Sequence, residues 1–263
     1  RRMKHTLFSI RPEHAAEAVE ALRPKAKPEH KREELPYEME EFEDELTGET
    51  KGAAVVRASG VLAMGVEGWW GTIDFGELLE ELEEADRDAN VTALVLHLDT
   101  PGGTVNGTPE HAARIASLTK PLLVWTEEQL CSAGYWLAAS ADAIMSYPSA
   151  MVGSIGCVLA FYDYSKMLGD AGIAVQVFRS GELKAAGYPG TSLSEQEAAH
   201  FQSLVDGVGV DFQTWVLDYR PGIDLGLFDG RAVSGKQGLE LGLVVAVHNT
   251  RQEAIREFME TFS

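Results

Sequence analysis

A serine, a glycine pair and a lysine are the residues of this chain whose types and spacing could do chemistry. Ser132 stands in Leu130-Cys131-Ser132-Ala133-Gly134-Tyr135-Trp136, between an apolar strand and a helix of small residues. Upstream lies Asp99-Thr100-Pro101-Gly102-Gly103, and Lys184 follows 52 residues after the serine, in Arg179-Ser180-Gly181-Glu182-Leu183-Lys184. A serine hydroxyl becomes a nucleophile once a base takes its proton. Lysine serves when neutral, and burial lowers its reference pKa of ~10.4 by several units. Gly102 and Gly103 leave backbone N–H groups unshielded, and a helix beginning at Ser132 points the N–H of Ala133 outward. Two such donors hold an oxyanion. Together these features indicate a Ser-Lys amidase. Each also has a plain reading: Ser132 as a helix N-cap, Lys184 as a solvated charge, and Ser154 in Gly153-Ser154-Ile155-Gly156 as a turn serine.

Other chemistries have less behind them. His97 sits within an apolar strand, His111 on the helix after the glycine loop, and His200 and His248 have no motif around them. A Ser-His-Asp triad with Asp99 or Asp142 as third member therefore lacks a local pattern. Neither HExxH nor CxxC occurs, and no cofactor or metal is expected. The absence of GxGxxG and of GKS or GKT leaves nucleotide binding unsupported. Cys131 and Cys157 give no disulfide framework and read as small apolar residues.

The elements that must position these residues alternate. Ala53 to Val66 reads as a hairpin or bent strand around Gly60. Phe75 to Asp88 repeats apolar residues at helical spacing, and Val91 to Leu98 is a buried strand. A helix over Thr108 to Leu118 has Thr108 or Asn106 as cap. Leu122 to Thr126 is a strand, Ser132 to Ser140 a helix, and Ala143 to Ser146 a strand. Ile155 to Tyr162 and Val175 to Arg179 read as further strands, with a helix near Tyr164 to Ala171 between them. Ser194 and Glu197 form a capping box that opens a helix to about Tyr219. A late strand over Val244 to Val247 and a closing helix over Arg251 to Phe262 follow. Alternation with near-continuous apolar strands means an α/β fold with mostly parallel pairing.

The chain has 263 residues, is 45% hydrophobic and carries a formal net charge of -19. Such a charge disfavours nucleic-acid backbones as partners. Part of it is local: Glu33 to Glu49 holds nine acids and no base, so residues 1–50 read as an N-terminal arm ahead of a catalytic domain over 51–263. Leu7 to Leu22 reads as a short strand and then a helix, broken by Pro24, Pro28 and Pro36. No apolar run approaches the ~18 residues that span a bilayer. The opening Arg1-Arg2-Met3 leaves room for a longer precursor with an upstream anchor.

The motifs, taken in order, resemble the signal peptide peptidase A family of serine proteases, whose fold is similar to Clp protease and the crotonases. Asp99 to Gly103 matches its acidic-x-Pro-Gly-Gly segment, Ser132-Ala133-Gly134 its nucleophile segment, Gly153 to Gly156 its Gly-Ser-Ile-Gly segment, and Ser180 to Lys184 its Ser-Gly-x-x-Lys segment. Val233-Ser234-Gly235 through Gly242-Leu243-Val244 matches a later one, with Leu239 where alanine is common. Cys131 before the serine looks most like the phage head-maturation (capsid) branch.

The resemblance implies a ββα superhelix and a serine endopeptidase without cofactor. In it, Ser132 attacks, Lys184 is the base, Ser154 orients Lys184, and Gly102 or Gly103 with Ala133 holds the oxyanion. It implies an extended polypeptide substrate, such as signal-peptide remnants or capsid scaffold. It also implies a homo-oligomeric ring in which serine and lysine meet across subunits, and a cytoplasmic or prohead setting. The rival readings are a catalytically silent ring-forming assembly protein and a crotonase-like acyl-CoA enzyme.

Overall fold

The computed structural model describes residues 36–43, 50–65 and 71–261. The strand and helix expected over Leu7 to Leu22, and the breaks at Pro24 and Pro28, lie outside these residues. After strand β1 (Glu38–Glu43) the chain winds in turns of a long strand, a short strand and a helix. The first turn comprises β2 (Thr50–Ser59), a bend at Gly60, β3 (Val61–Ala63), β4 (Thr72–Asp74) and α1 (Phe75–Arg87). The second comprises β5 (Ala93–Asp99), the extended run 100–103 and α2 (Thr108–Ile115). The third comprises β6 (Leu122–Thr126), β7 (Gln129–Cys131) and α3 (Ala133–Ala138). The fourth comprises β8 (Ala143–Ser146) and β9 (Met151–Gly153), then a long connection holding α4 (Ser165–Asp170), and α5 (Glu195–Tyr219). β10 (Ala232–Ser234), α6 (Gly235–Glu240), β11 (Ala246–Val247) and α7 (Arg251–Thr261) close the described chain.

The long strands form one sheet in the order β1-β2-β5-β6-β8-β11. β2, β5, β6, β8 and β11 run parallel, and β1 is antiparallel to β2. The short strands form a second layer, β3 with β4 and β10-β9-β7. The run 100–103 joins its two parts, Gly103 bridging to Leu62 and Thr100 to Leu130. This is the α/β class, with a mostly parallel sheet and the strand-strand-helix course, that the sequence led us to expect.

The near-continuous apolar strands are explained by burial on both faces. Leu94, Leu96 and Leu98 of β5 enter one core with Leu79 and Leu82 of α1. Val95 of β5 and Trp125 of β6 enter the other, against Ile255 and Phe258 of α7.

Several local expectations shift. Gly60, at φ 135°, bends β2 into β3 without a hairpin. Helix α2 is capped by Gly107, at φ 93°, while the Thr108 hydroxyl donates to the Thr104 carbonyl (2.7 Å). Ser194 forms the expected capping box, its Oγ accepting from the Glu197 N–H (3.3 Å) and Glu197 Oε2 accepting from the Ser194 N–H (2.9 Å). The strands expected over Ile155 to Tyr162 and Val175 to Arg179 are not formed. The reason is pairing: β9 is already flanked by β7 and β10, so it offers no free edge. The acidic stretch, read as part of the arm, contains β1. Its Met39 packs on one core and its Phe42 on the other. Among the described residues no helix is long and apolar enough to cross a membrane.

Candidate active site

Three loops meet where the short strands end. β5 runs into Thr100-Pro101-Gly102-Gly103, β7 into Ser132, and β9 into Ser154. The layer that carries them is stitched by backbone bonds: Thr100 N–H to Gln129 O (2.6 Å), Cys131 N–H to Thr100 O (3.1 Å), and Ser132 N–H to Gly153 O (2.9 Å). Leu62 N–H donates to Gly102 O (2.9 Å) and Thr104 N–H to Leu62 O (2.9 Å), which fixes the glycine pair from its other side.

Ser132 and Ser154 are the non-glycine residues with positive φ among those described, at 51° and 52°. Such a backbone costs on the order of 1–3 kcal/mol and persists only where its surroundings enforce it. Ser132 precedes α3 but its side chain caps nothing. Its Oγ has only a long approach to the Gly156 carbonyl (3.5 Å). The reading of Ser132 as a plain N-cap is therefore set aside by the geometry.

Gly102 and Gly103 are required by space. A Cβ on Gly102, at φ 112°, would lie 2.7 Å from Ser132 Cβ and 3.2 Å from its Oγ. A Cβ on Gly103 would collide with the Leu62 carbonyl. The Gly102 N–H is spent on Thr100 Oγ1 (3.1 Å). The N–H groups of Gly103 and Ala133, by contrast, have no acceptor among the described residues. Gly103, Ser132, Ala133 and Ser154 all line one cavity of about 710 Å³. Its apolar wall includes Trp136, Ile155, Val208, Phe212 and Phe228. Trp136 and Phe212 stack, with ring centroids 4.4 Å apart and planes at 9°, and so tie α3 to α5.

Lys184 is not brought to this cavity within one chain. It lies exposed in a turn over residues 182–187, its N–H bonded to the Gly181 carbonyl (3.1 Å). The preceding Arg179 pairs with Glu197 (2.9 Å), which pins this segment to the start of α5. Among the described residues no histidine lines the cavity either. His97 faces Asp99 (3.2 Å), His111 stacks on Phe75, and Asp142 accepts from the Leu122 N–H (2.8 Å). These placements leave a Ser-His-Asp triad without parts. Cys131 is buried, whereas Cys157 is half-buried on the cavity wall, and burial pushes both thiols up from their ordinary pKa.

Sequence reading missed two groups here. Thr100 fixes Gly102 through its hydroxyl, a bond that no spacing rule reveals. The wall from α5, with Val208 and Phe212, was read only as part of a capped helix.

The chain is 28% identical over 181 residues to "Putative protease MJ0651" of Methanocaldococcus jannaschii, covering 67% of this chain and 58% of that protein. It is 28% identical over 207 residues to "Capsid assembly protease C" of Escherichia phage lambda, covering 76% and 47%. It thus spans about half the length of the curated relatives it matches. A solved 1510-N membrane-bound stomatin-specific protease mutant aligns over 77% of this chain and 82% of its own, at 14% identity and a TM-score of 0.48. The profile of Peptidase family S49 matches residues 114–262. That span is more than half of the chain and takes in Ser132, Ser154 and Lys184 alike, so the chain belongs to Peptidase family S49.

Proposed function

We propose that this protein is a serine endopeptidase that cuts extended polypeptide with Ser132 as nucleophile and Lys184 of a neighbouring copy as base. The observation that carries the reading is the elbow at Ser132. A strained, uncapped serine stands beside two unused N–H groups on the wall of a cavity that combines polar and apolar side chains. Ser132 Oγ attacks the scissile carbonyl and passes its proton to the neutral lysine amine. Negative charge developing on the carbonyl oxygen is met by the N–H groups of Gly103 and Ala133. The lysine ammonium returns the proton to the leaving amine, giving an acyl-enzyme. Water, deprotonated by the same lysine, then releases the acid. Gly102 lets the backbone approach Ser132, and Ser154 directs the lysine.

The exposed position of Lys184 favours a base supplied in trans. An amine acts as a base only when neutral, and cover by another copy disfavours its charged form. The segment that carries it is strongly apolar for a surface: Val158 is 88% and Phe178 93% exposed. The name of the phage lambda relative, a capsid assembly protease, favours a polypeptide of capsid assembly as substrate, and the family resemblance favours a small apolar side chain at the cleaved position.

The test mixes two inactive chains. Ser132→Ala and Lys184→Ala should each lower peptide hydrolysis by at least ~10³-fold. Refolding them together should restore part of the activity, because some sites then combine an intact serine with an intact lysine. A fluorophosphonate should label Ser132 in the wild type. Normal hydrolysis by folded Lys184→Ala would exclude that lysine as the base. Absence of recovery in the mixture, with each single variant inactive, would exclude sharing between copies.

A further inference from the structure

We propose that Asp99 is a positioning residue that sets the separation between the nucleophile and the oxyanion donors. The proposal rests on the reading of Ser132 and Gly103 given above, and it adds a residue that contacts neither substrate nor reacting atoms. Asp99 ends β5, and its side chain is 12% exposed. Its Oδ1 accepts from the Thr126 hydroxyl (2.7 Å) and from the successive N–H groups of Glu127 (3.0 Å), Glu128 (2.8 Å) and Gln129 (3.3 Å). Those amides form the turn between β6 and β7. One carboxylate oxygen therefore fixes the entry to the three-residue strand that leads into Ser132.

The next residue holds the rest of that strand. Thr100 donates its N–H to Gln129 and accepts from Cys131, and its hydroxyl accepts from the Gly102 N–H. Asp99 and Thr100 thus grip β7 at both ends, and the same run of chain delivers Gly103 four residues after Asp99. A turn released from Asp99 would let Ser132 drift relative to the Gly103 N–H. A misplacement of about 1 Å costs on the order of 10²-fold in rate. The outer oxygen, Oδ2, faces His97 Nε2 (3.2 Å), whose Nδ1 faces Arg251 (3.4 Å), and Arg251 pairs with Glu40 (2.6 Å). This second chain of contacts anchors the carboxylate from behind.

Asp86 provides a matched control. It too accepts backbone bonds from a loop, from Thr119 N–H (3.0 Å) and Lys120 N–H (2.9 Å), but at the opposite end of β6. Asp99→Asn should lower kcat about 10²-fold with KM within about twofold of wild type, at a temperature where circular dichroism shows the variant folded. Amide exchange across residues 127–132 should speed up at least tenfold. Asp86→Asn should lose stability but keep kcat. Thr126→Val, which removes one donor and should fold in any case, should lower kcat about threefold with KM unchanged. A folded Asp99→Asn with wild-type kcat, or with no greater loss than Asp86→Asn, would overturn the proposal. So would an unchanged kcat in Thr126→Val if Asp99→Asn does not fold. If the wild type neither hydrolyses peptide nor takes the fluorophosphonate, the peptidase reading fails on its own. The exchange measurement still decides: faster exchange at 127–132 in Asp99→Asn upholds the grip on β7, and unchanged exchange refutes it.

Discussion

Asp99 shows how much one side chain can be asked to do. Burial alone would raise its pKa, but bonds from His97, the Glu128 N–H, Thr126 and the Glu127 N–H outweigh that and hold it well below the usual carboxylate range. A depressed folded-state pKa stabilises the fold fully above the unfolded value of ~3.9 and progressively less as pH falls below it. Wild-type unfolding free energy should therefore drop on acidification below about pH 4, while Asp99→Asn should be less stable at pH 7 and flatter through the acid range. Urea titrations at pH 7 and pH 3 would check this, and parallel losses in the two proteins would refute it. At this scale the sequence was readable wherever the constraint was local. Gly102, Gly103, Ser132 and Ser154 each stand in a short segment of distinctive composition, so motif order singles them out. The use of the Gly102 N–H by Thr100, and the four bonds to Asp99 Oδ1, depend on strands brought together from distant parts of the chain. No residue type advertises them.

Elements were legible in proportion to their periodicity. Helix α1, strand β6 and the capped helix α5 follow from spacing and end signals, and all three form. Strand β1 did not read as a strand because its acids masked its alternation. Met39 turns to one core while Glu38, Glu40 and Phe42 turn to the α7 side, where Glu38 meets Arg57 (2.9 Å) and Glu40 meets Arg251 (2.6 Å). The strands expected after β9 failed for the converse reason: they have the composition of strands, but β9, which they follow, is already paired on both sides. The pair between β1 and α7 carries a prediction. Arg251 has a side-chain exposure of 8% and Glu40 of 18%, so removing one partner strands a poorly solvated charge. Arg251→Met should destabilise by about 2 kcal/mol in urea unfolding, and adding Glu40→Gln should cost clearly less than the sum of the single changes. Strict additivity would mean that the two side chains do not interact.

For the molecule as a whole, the α/β class followed from alternation and apolar strands, because burial on both faces of a parallel sheet leaves a plain trace in composition. How copies meet left a weaker one. The long connection between β9 and α5 keeps Val158, Tyr162, Met167 and Phe178 exposed, and Lys184 sits in the same stretch. If that surface closes over a neighbour's Ser132, Phe178→Asp should shift sedimentation towards smaller species and lower kcat in step, with the far-ultraviolet spectrum unchanged. An unaltered size distribution would place the contact elsewhere. The β1 border has a different consequence. Unpaired strand borders invite stacking into fibres, and rows of like charge are one way proteins prevent it. Here the border strand reads Glu-Met-Glu-Glu-Phe-Glu. Among the described residues nothing pairs with its outer side, and a second copy laid alongside in register would confront carboxylates with carboxylates, so in dilute salt this flank resists extension of the sheet.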